Sequence, residues 1–305
     1  MDKRVLISGA SGLVGSAIIP FVRSQGYQIS RLIRSSVSHH AEDTIHWDIE
    51  KKEISYQALE GHDTIIHLAG TNIANRRWTD SYKKIILNSR VESTALLVQA
   101  IRQLRQPPKN FFCASAVGYY GPYQFDIKVN EDSPAGDDFL ATVCQKWEEA
   151  TRPAAERGVR VIYLRFGMVL SPHGGALTKM LPIFKLGLGG QLGNGKQMMS
   201  WIALNEIPKI ITFLMDHPQI SGAVNCVAPQ AVSNKEFTQI LGEVLHRPTF
   251  LPAPALALRL LLGEMAETLL LSGANVIPQK LLNTGYQFDY PELKSTLKIL
   301  FSSHA

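Results

Sequence analysis

Apolar residues in this chain fall first into short unbroken runs and then into helical spacing, and the two patterns alternate. Val5-Leu6-Ile7 is a run long enough for a strand buried on both faces, and Val14, Ile18, Phe21 and Val22 then lie on one side of a helix. Tyr27–Ile33, Thr44–Asp48, Asp63–Gly70, a stretch opening at Asn110, and Val159–Leu164 predict the second to sixth strands. Helical spacing separates them over about Trp78–Asn88, Ser93–Leu104 and Phe139–Arg157, and Pro107-Pro108 stops the second of these. Strand and helix alternate from residue 4 to 165, which predicts an α/β chain built on a doubly wound parallel sheet.

The pattern then changes. Glycines crowd residues 174 to 195, and turns replace the strict alternation. Ser233 is placed to cap a helix over Asn234–Leu245, with Glu236 completing a capping box. Leu256–Leu271 reads as apolar core helix, and a last short helix follows Pro278. The expected organisation is a first domain over 1–167 and a smaller α/β lobe over 168–305, parts of which return to the first.

Between the first strand and the first helix stand Gly9, Gly12 and Gly15. Strand, glycine turn and helix in that order form the opening unit of a dinucleotide-binding Rossmann fold. Gly9 permits the tight turn, Gly12 a close approach of backbone to a pyrophosphate, and Gly15 close packing of helix on strand. The helix N-terminus offers free N–H groups to phosphates, so Ser11, Leu13 and Val14 join the glycines as expected contacts. At the end of the second strand an acidic residue would bind the ribose 2′-hydroxyl of NAD, whereas an arginine accommodates the 2′-phosphate of NADP. No Asp or Glu lies between Tyr27 and Ala41, and Arg34 and Ser35 stand where that phosphate would sit. The cofactor expected is therefore NADP(H). Asp48 either contacts the adenine or caps the next turn.

Composition narrows the picture. With 45% hydrophobic and 19% charged residues the chain is globular. Its net charge of +5 is scattered without a basic run, which argues against nucleic acid. Three cysteines, an odd count without ligand spacing, fit a reducing compartment and suggest no metal site. Arg259, Glu264 and Glu267 interrupt the most apolar late stretch, so no membrane span is expected. The expected location is the cytoplasm.

The chain resembles the extended short-chain dehydrogenase/reductase superfamily over essentially its whole length. The residues that carry the resemblance are Gly9-x-x-Gly12-x-x-Gly15, His67-Leu-Ala-Gly70, Ser115 before Tyr119-Tyr120-Gly121, Leu164-Arg-Phe-Gly167, and Gly193–Gln197 with Trp201-Ile202 and Glu206. Asn75-Arg-Arg-Trp78, Asn88-Ser-Arg-Val91, Gly187–Gly190, Met199–Ile202, Val276–Pro278 and Gly285–Pro291 resemble its atypical epimerase-family branch, also called cell-division-inhibitor-like. The resemblance implies cofactor contacts at Gly9, Gly12, Gly15, Arg34, Leu68, Ala69 and Gly70. Arg90 either reaches toward the cofactor or is a helix-surface arginine; Arg165 is a weaker candidate of the same kind.

The superfamily's chemistry needs a Tyr with a Lys four residues later, whose charge lowers the phenol pKa. At the matching register of the 139–157 helix stand Leu140 and Cys144. Tyr290 and Lys294 have the spacing, but Pro291 pushes Tyr290 out of helical geometry. Ser115 and Tyr120 remain as catalytic candidates, Ser115 to polarise a carbonyl and Tyr120 to touch substrate, unless it is a packed loop aromatic. Cys144 is either reactive or simply buried. Met198 and Met199 occupy the place where a nucleotide-sugar site would want an arginine. Two readings follow: an NADP(H)-dependent oxidoreductase or epimerase-like protein acting on an unknown small molecule, and a non-catalytic NADP-binding regulatory or redox-sensing protein. Assembly into a homo-oligomer is left open.

Overall fold

The structure, a computed structural model, describes residues 3–34, 43–124 and 126–302. Its first part runs β1 (Arg4–Ser8), α1 (Leu13–Ser24), β2 (Gln28–Arg34), β3 (Thr44–Asp48), β4 (Glu53–Ile54), β5 (Thr64–His67), α2 (Asp80–Gln103), β6 (Asn110–Ala116), β7 (Lys128–Val129), α3 (Phe139–Glu149), α4 (Arg152–Ala155) and β8 (Arg160–Phe166). The second part runs β9 (Met168–Leu170), α5 (Gly175–Lys185), β10 (Met198–Met199), β11 (Trp201–Ala203), α6 (Ile207–Asp216), β12 (Gly222–Cys226), β13 (Val232–Ser233), α7 (Asn234–Leu245), α8 (Ala255–Leu262), α9 (Glu264–Ala266), β14 (Asn275–Val276), α10 (Gln279–Asn283) and α11 (Leu293–Ser302).

Eight strands form one sheet in the order β12-β8-β6-β5-β1-β2-β3-β4. Every pair is parallel except β3 with β4. Residues alternate between the two faces. Val5 and Ile7 pack with Ile18 and Val22 of α1 and with Ile210, Ile211 and Leu214 of α6. Leu6, Ile65, Phe111 and Cys113 pack on the other face against Leu97 and Ile101 of α2, Trp147 of α3 and Ala154 of α4. Both faces are covered, which explains the unbroken apolar runs of the strands. A further core joins Leu177 and Phe184 of α5, Trp201, Phe237 and Leu241 of α7, and Leu293, Leu297 and Leu300 of α11. The chain thus leaves the sheet after β8 and returns to it with α6 and β12.

Four local expectations are corrected. The two helical segments over 78–104 are one 24-residue helix, α2, with Thr79 as its N-cap. The helix expected over 139–157 is broken after Glu149 and resumes as α4. No residue of α8 is buried, although its sequence reads as core; α9 and a π-helical turn over Glu267–Leu271 follow it. The helix after Pro278 is not the last, because α11 closes the chain. No helix among the described residues is long and apolar enough to cross a membrane.

Candidate functional site

Strand order reverses direction beside β1, where β5 lies on one side and β2 on the other. Such a switch point opens a crevice at the carboxyl ends of the strands. The Gly9–Gly15 turn leaves β1 here, and Leu68-Ala69-Gly70 leaves β5. Gly9 has φ +69°, and a Cβ on it would stand 2.7 Å from Leu68 C. At Gly15 a Cβ would stand 2.3 Å from Gly9 O. No side chain therefore fits at either position, and the backbone itself forms the floor of the crevice. Gly12 donates its N–H to Gly9 O at 3.0 Å and caps α1 without a side-chain acceptor. No acidic residue stands in the first turn of α1, so its N–H groups and positive dipole end face the crevice uncompensated. Leu13 packs against the loop after β9, since a Cβ on Gly174 would meet its Cδ1 at 2.9 Å.

At the end of β2 two arginines part ways. Arg31 donates to Asp43 at 2.7 Å, a carboxylate it shares with Arg23. Those arginines, opposed by burial, hold the Asp43 carboxyl below its usual range. Arg34 is exposed and has no carboxylate partner among the described residues. Ser35 lies outside the described residues.

On α3, Leu140 and Cys144 face the end of β6. A Cβ on Gly118 would meet Leu140 Cβ at 3.3 Å, and Cys144 Sγ approaches Ala116 O at 3.7 Å. Burial pushes the Cys144 thiol up to about 11, so it stays protonated at neutral pH. All three cysteines are buried and free.

Ser115 and Tyr120 are inside the protein, at 3% and 1% exposure. Ser115 Oγ donates to Glu148 Oε1 at 2.7 Å, and Tyr120 OH donates to Asn225 Oδ1 at 2.7 Å. Burial raises the Tyr120 phenol to about 12, although Arg165 beside it pulls the other way. Arg165 is committed to the same network. Its Nε and Nη2 hold the two oxygens of Glu148 at 2.9 and 2.8 Å, and its Nη1 donates to Tyr120 OH at 3.0 Å. The guanidinium also stacks 3.4 Å from the Tyr119 ring centroid. The expected roles of Ser115 as carbonyl polariser and Tyr120 as substrate contact thus meet hydroxyls whose protons are already given to protein acceptors, and Arg165, expected as a cofactor ligand, is held by Glu148 and Tyr120. Sequence reasoning missed Glu148 and Asn225, which organise this network; neither stood in a motif.

Arg90 projects from α2 toward Gly70, where a Cβ would come within 3.2 Å of its Cζ. Its Nη1 donates to Ile86 O at 3.0 Å, and the guanidinium covers the Trp147 ring at 5.0 Å. Lys294 pairs with Glu243 at 2.8 Å, and Tyr290 gives its backbone N–H to Glu206 at 2.9 Å.

A family model described as the NAD dependent epimerase/dehydratase family matches residues 5–226. The chain belongs to this family. A second model, a domain of unknown function (DUF1731), matches residues 253–300. Among relatives, the Epimerase family protein Mb2239 of Mycobacterium bovis is 40% identical over 293 residues, 96% of each chain. Among solved structures, human epimerase family protein SDR39U1 with NADPH is 36% identical, with TM-score 0.88, covering 98% of this chain and 99% of that one. A nucleoside-diphosphate sugar epimerase from Corynebacterium glutamicum is 32% identical with TM-score 0.79, covering 97% of this chain and 57% of that one.

Proposed function

We propose that this chain is an NADP(H)-binding, epimerase-like protein that acts on a small molecule without a Tyr/Lys acid–base pair. The observation that carries the reading is the crevice floor. Gly9 and Gly15 leave no room for a side chain, and α1 begins there at Gly12 without a side-chain cap. A dinucleotide diphosphate fits such a floor. Gly9, Ser11, Gly12, Leu13, Val14 and Gly15 would hold it, with Leu68, Ala69 and Gly70 beside the adenosine half. Arg34, without a carboxylate partner among the described residues, would take the 2′-phosphate. Similarity to a human protein solved with NADPH supports the choice of cofactor.

Bound NADP(H) supplies hydride chemistry; the chain's own residues orient and enclose. Leu140 and Cys144 carry no acid or base suited to neutral pH, and they place apolar surface beside the end of β6. Ser115, Tyr120, Glu148 and Arg165 fix the ends of β6 and β8, so they serve by positioning. Proximity alone is worth about 7–11 kcal/mol in favourable intramolecular cases, whereas general acid–base help adds about 10²–10⁴-fold. Turnover without such help is slow but real.

The sequestered hydroxyls of Ser115 and Tyr120 favour a second reading, a regulatory protein whose partner reads the cofactor state. Titration with NADPH and NADH tests the binding claim: NADPH should bind more tightly, and equal affinities would defeat it. Mixing the protein and NADPH with a metabolite library, while following nicotinamide absorbance, separates enzyme from regulator.

A further inference from the structure

α8 is wholly apolar apart from Arg259, yet it buries no residue. On its inner side Leu258 and Leu262 are half-buried, and Leu262 packs on the cluster around Trp78. Leu256, Ala257, Leu260 and Leu261 share the opposite face by helical spacing and are all exposed, the leucines at 68–70%. The helix has 8 residues and no side-chain cap at Pro254. Helices shorter than about 12–15 residues are marginal in water, and most of their stability in proteins comes from covering an apolar face. The exposed surface continues past the helix. Residues 185–193 run beside residues 247–255: Arg247 Nε donates to Lys185 O at 2.8 Å, a Cβ on Gly187 would meet Pro248 Cγ at 3.4 Å, and Ala253 exchanges hydrogen bonds with Gln191 and Gly193. Leu186, Leu188, Phe250 and Leu251, at 45–74% exposure, therefore adjoin the start of α8.

We propose that this surface is the interface through which two copies of the chain pair about a twofold axis, α8 against α8. Leu256 of one copy would lie against the partner's Leu260, and the reverse, with the small Ala257 letting the helices approach. Area and charge both select a second copy. At roughly 100 Å² for each open side chain the patch presents several hundred Å², close to the about 800 Å² that one partner of a standard interface covers. The charges of residues 255–271 are matched within the chain, Arg259 with Glu267 and Glu264 with Lys83, each at 2.7 Å. An anionic lipid surface favours unmatched cations beside an apolar face, whereas across a twofold axis an unmatched charge would meet its own like. Pairing also supplies the cover that α8 lacks. The proposal stands whether or not the NADP(H) reading holds.

Sedimentation velocity of the full chain over a concentration series should show a monomer–dimer equilibrium. Leu260→Glu should raise the dimer Kd by about a hundredfold or more, because one substitution places two charges in the interface. Diluted to monomer, the variant and the parent should share one urea midpoint, since Leu260 is exposed. Cross-linking tests the geometry without that variant. All three native cysteines are buried, so Ala257→Cys adds one exposed thiol. A bis-maleimide should join two copies through it, and far less through Gln106→Cys, exposed ahead of β6 at the amino ends of the strands. A parent that stays monomeric at every concentration would overturn the proposal, as would a dimer unweakened by Leu260→Glu or equal cross-linking through the two cysteines. Vesicles of phosphatidylcholine and phosphatidylserine should leave the parent behind in flotation. A monomeric parent that floats with them would give the face to a lipid surface, and the proposal would fail.

Discussion

His67 ends β5 wholly buried, with Nδ1 2.6 Å from Ser8 Oγ and Nε2 3.0 Å from Thr94 Oγ1. Burial lowers its pKa from 6.5 to about 3. Between those values the unfolded chain binds a proton that the folded chain refuses. Stability from this residue is therefore complete above about pH 6.5 and falls on acidification by up to about 1.4 kcal/mol per pH unit. Urea unfolding at pH 7, 6 and 5 should show that slope, and His67→Asn should flatten it. Equal slopes in the two proteins would mean that His67 is not buried neutral. Arg34 yields a second prediction at this scale. A charge-assisted hydrogen bond is worth about 1.5–3 kcal/mol, so Arg34→Ala should weaken NADPH binding by about one to two orders of magnitude and leave NADH nearly unchanged. Fluorescence titration of both reduced cofactors reads this directly; an undiminished preference for NADPH would assign the phosphate elsewhere.

At the scale of elements, α2 shows what the sequence discloses and what it conceals. Its N-terminus is capped by Thr79, whose side chain accepts from Tyr82 N at 3.2 Å. Thr79→Ala should cost about 1 kcal/mol, seen as a lower urea midpoint with an unchanged slope. The helix read as two because Ser89 and Ser93 interrupt its apolar pattern. In the structure Ser93 is buried and returns its hydroxyl to Ser89 O at 2.7 Å, within reach of His67. Polar residues that face a buried histidine look, in one dimension, like a solvent-facing break. The opposite error occurs at α8. Leu256, Leu260 and Leu261 are 68–70% exposed, yet composition alone assigns them to a core, because apolarity does not say whether a partner element covers the face. The strands and glycine turn of the crevice were legible because steric and periodic rules are local. The Glu148–Arg165–Tyr120–Asn225 network was not, because it joins residues up to 105 positions apart.

For the molecule as a whole, one buried carboxylate decides how the end of the chain is held. Glu206 is fully buried before α6 and accepts from Tyr286 OH at 2.6 Å, Asp289 N at 3.0 Å and Tyr290 N at 2.9 Å. Burial, and then Glu206 itself, raises the Tyr286 phenol pKa, so Tyr286 remains a donor. The segment between α10 and α11 is thereby fastened to the helix that covers the sheet, while α11 packs on α7 in the other core. Glu206 therefore couples the two cores through the C-terminal segment. Removing one partner of a buried charged cluster costs about 3–5 kcal/mol, because three donors would lose their acceptor together. Glu206→Ala should lower the unfolding free energy by that amount, read from urea titration as a lower midpoint at unchanged slope, and Glu206→Gln, which keeps one acceptor oxygen, should cost less. Tyr290→Phe supplies the contrast. Tyr290 contributes its N–H and not its phenol to the clamp, so the substitution should change stability by no more than about 0.5 kcal/mol and leave any turnover intact. A loss of turnover in a folded Tyr290→Phe protein would return the Tyr290–Lys294 pair to the chemistry, against its place beside Glu206 and the pairing of Lys294 with Glu243.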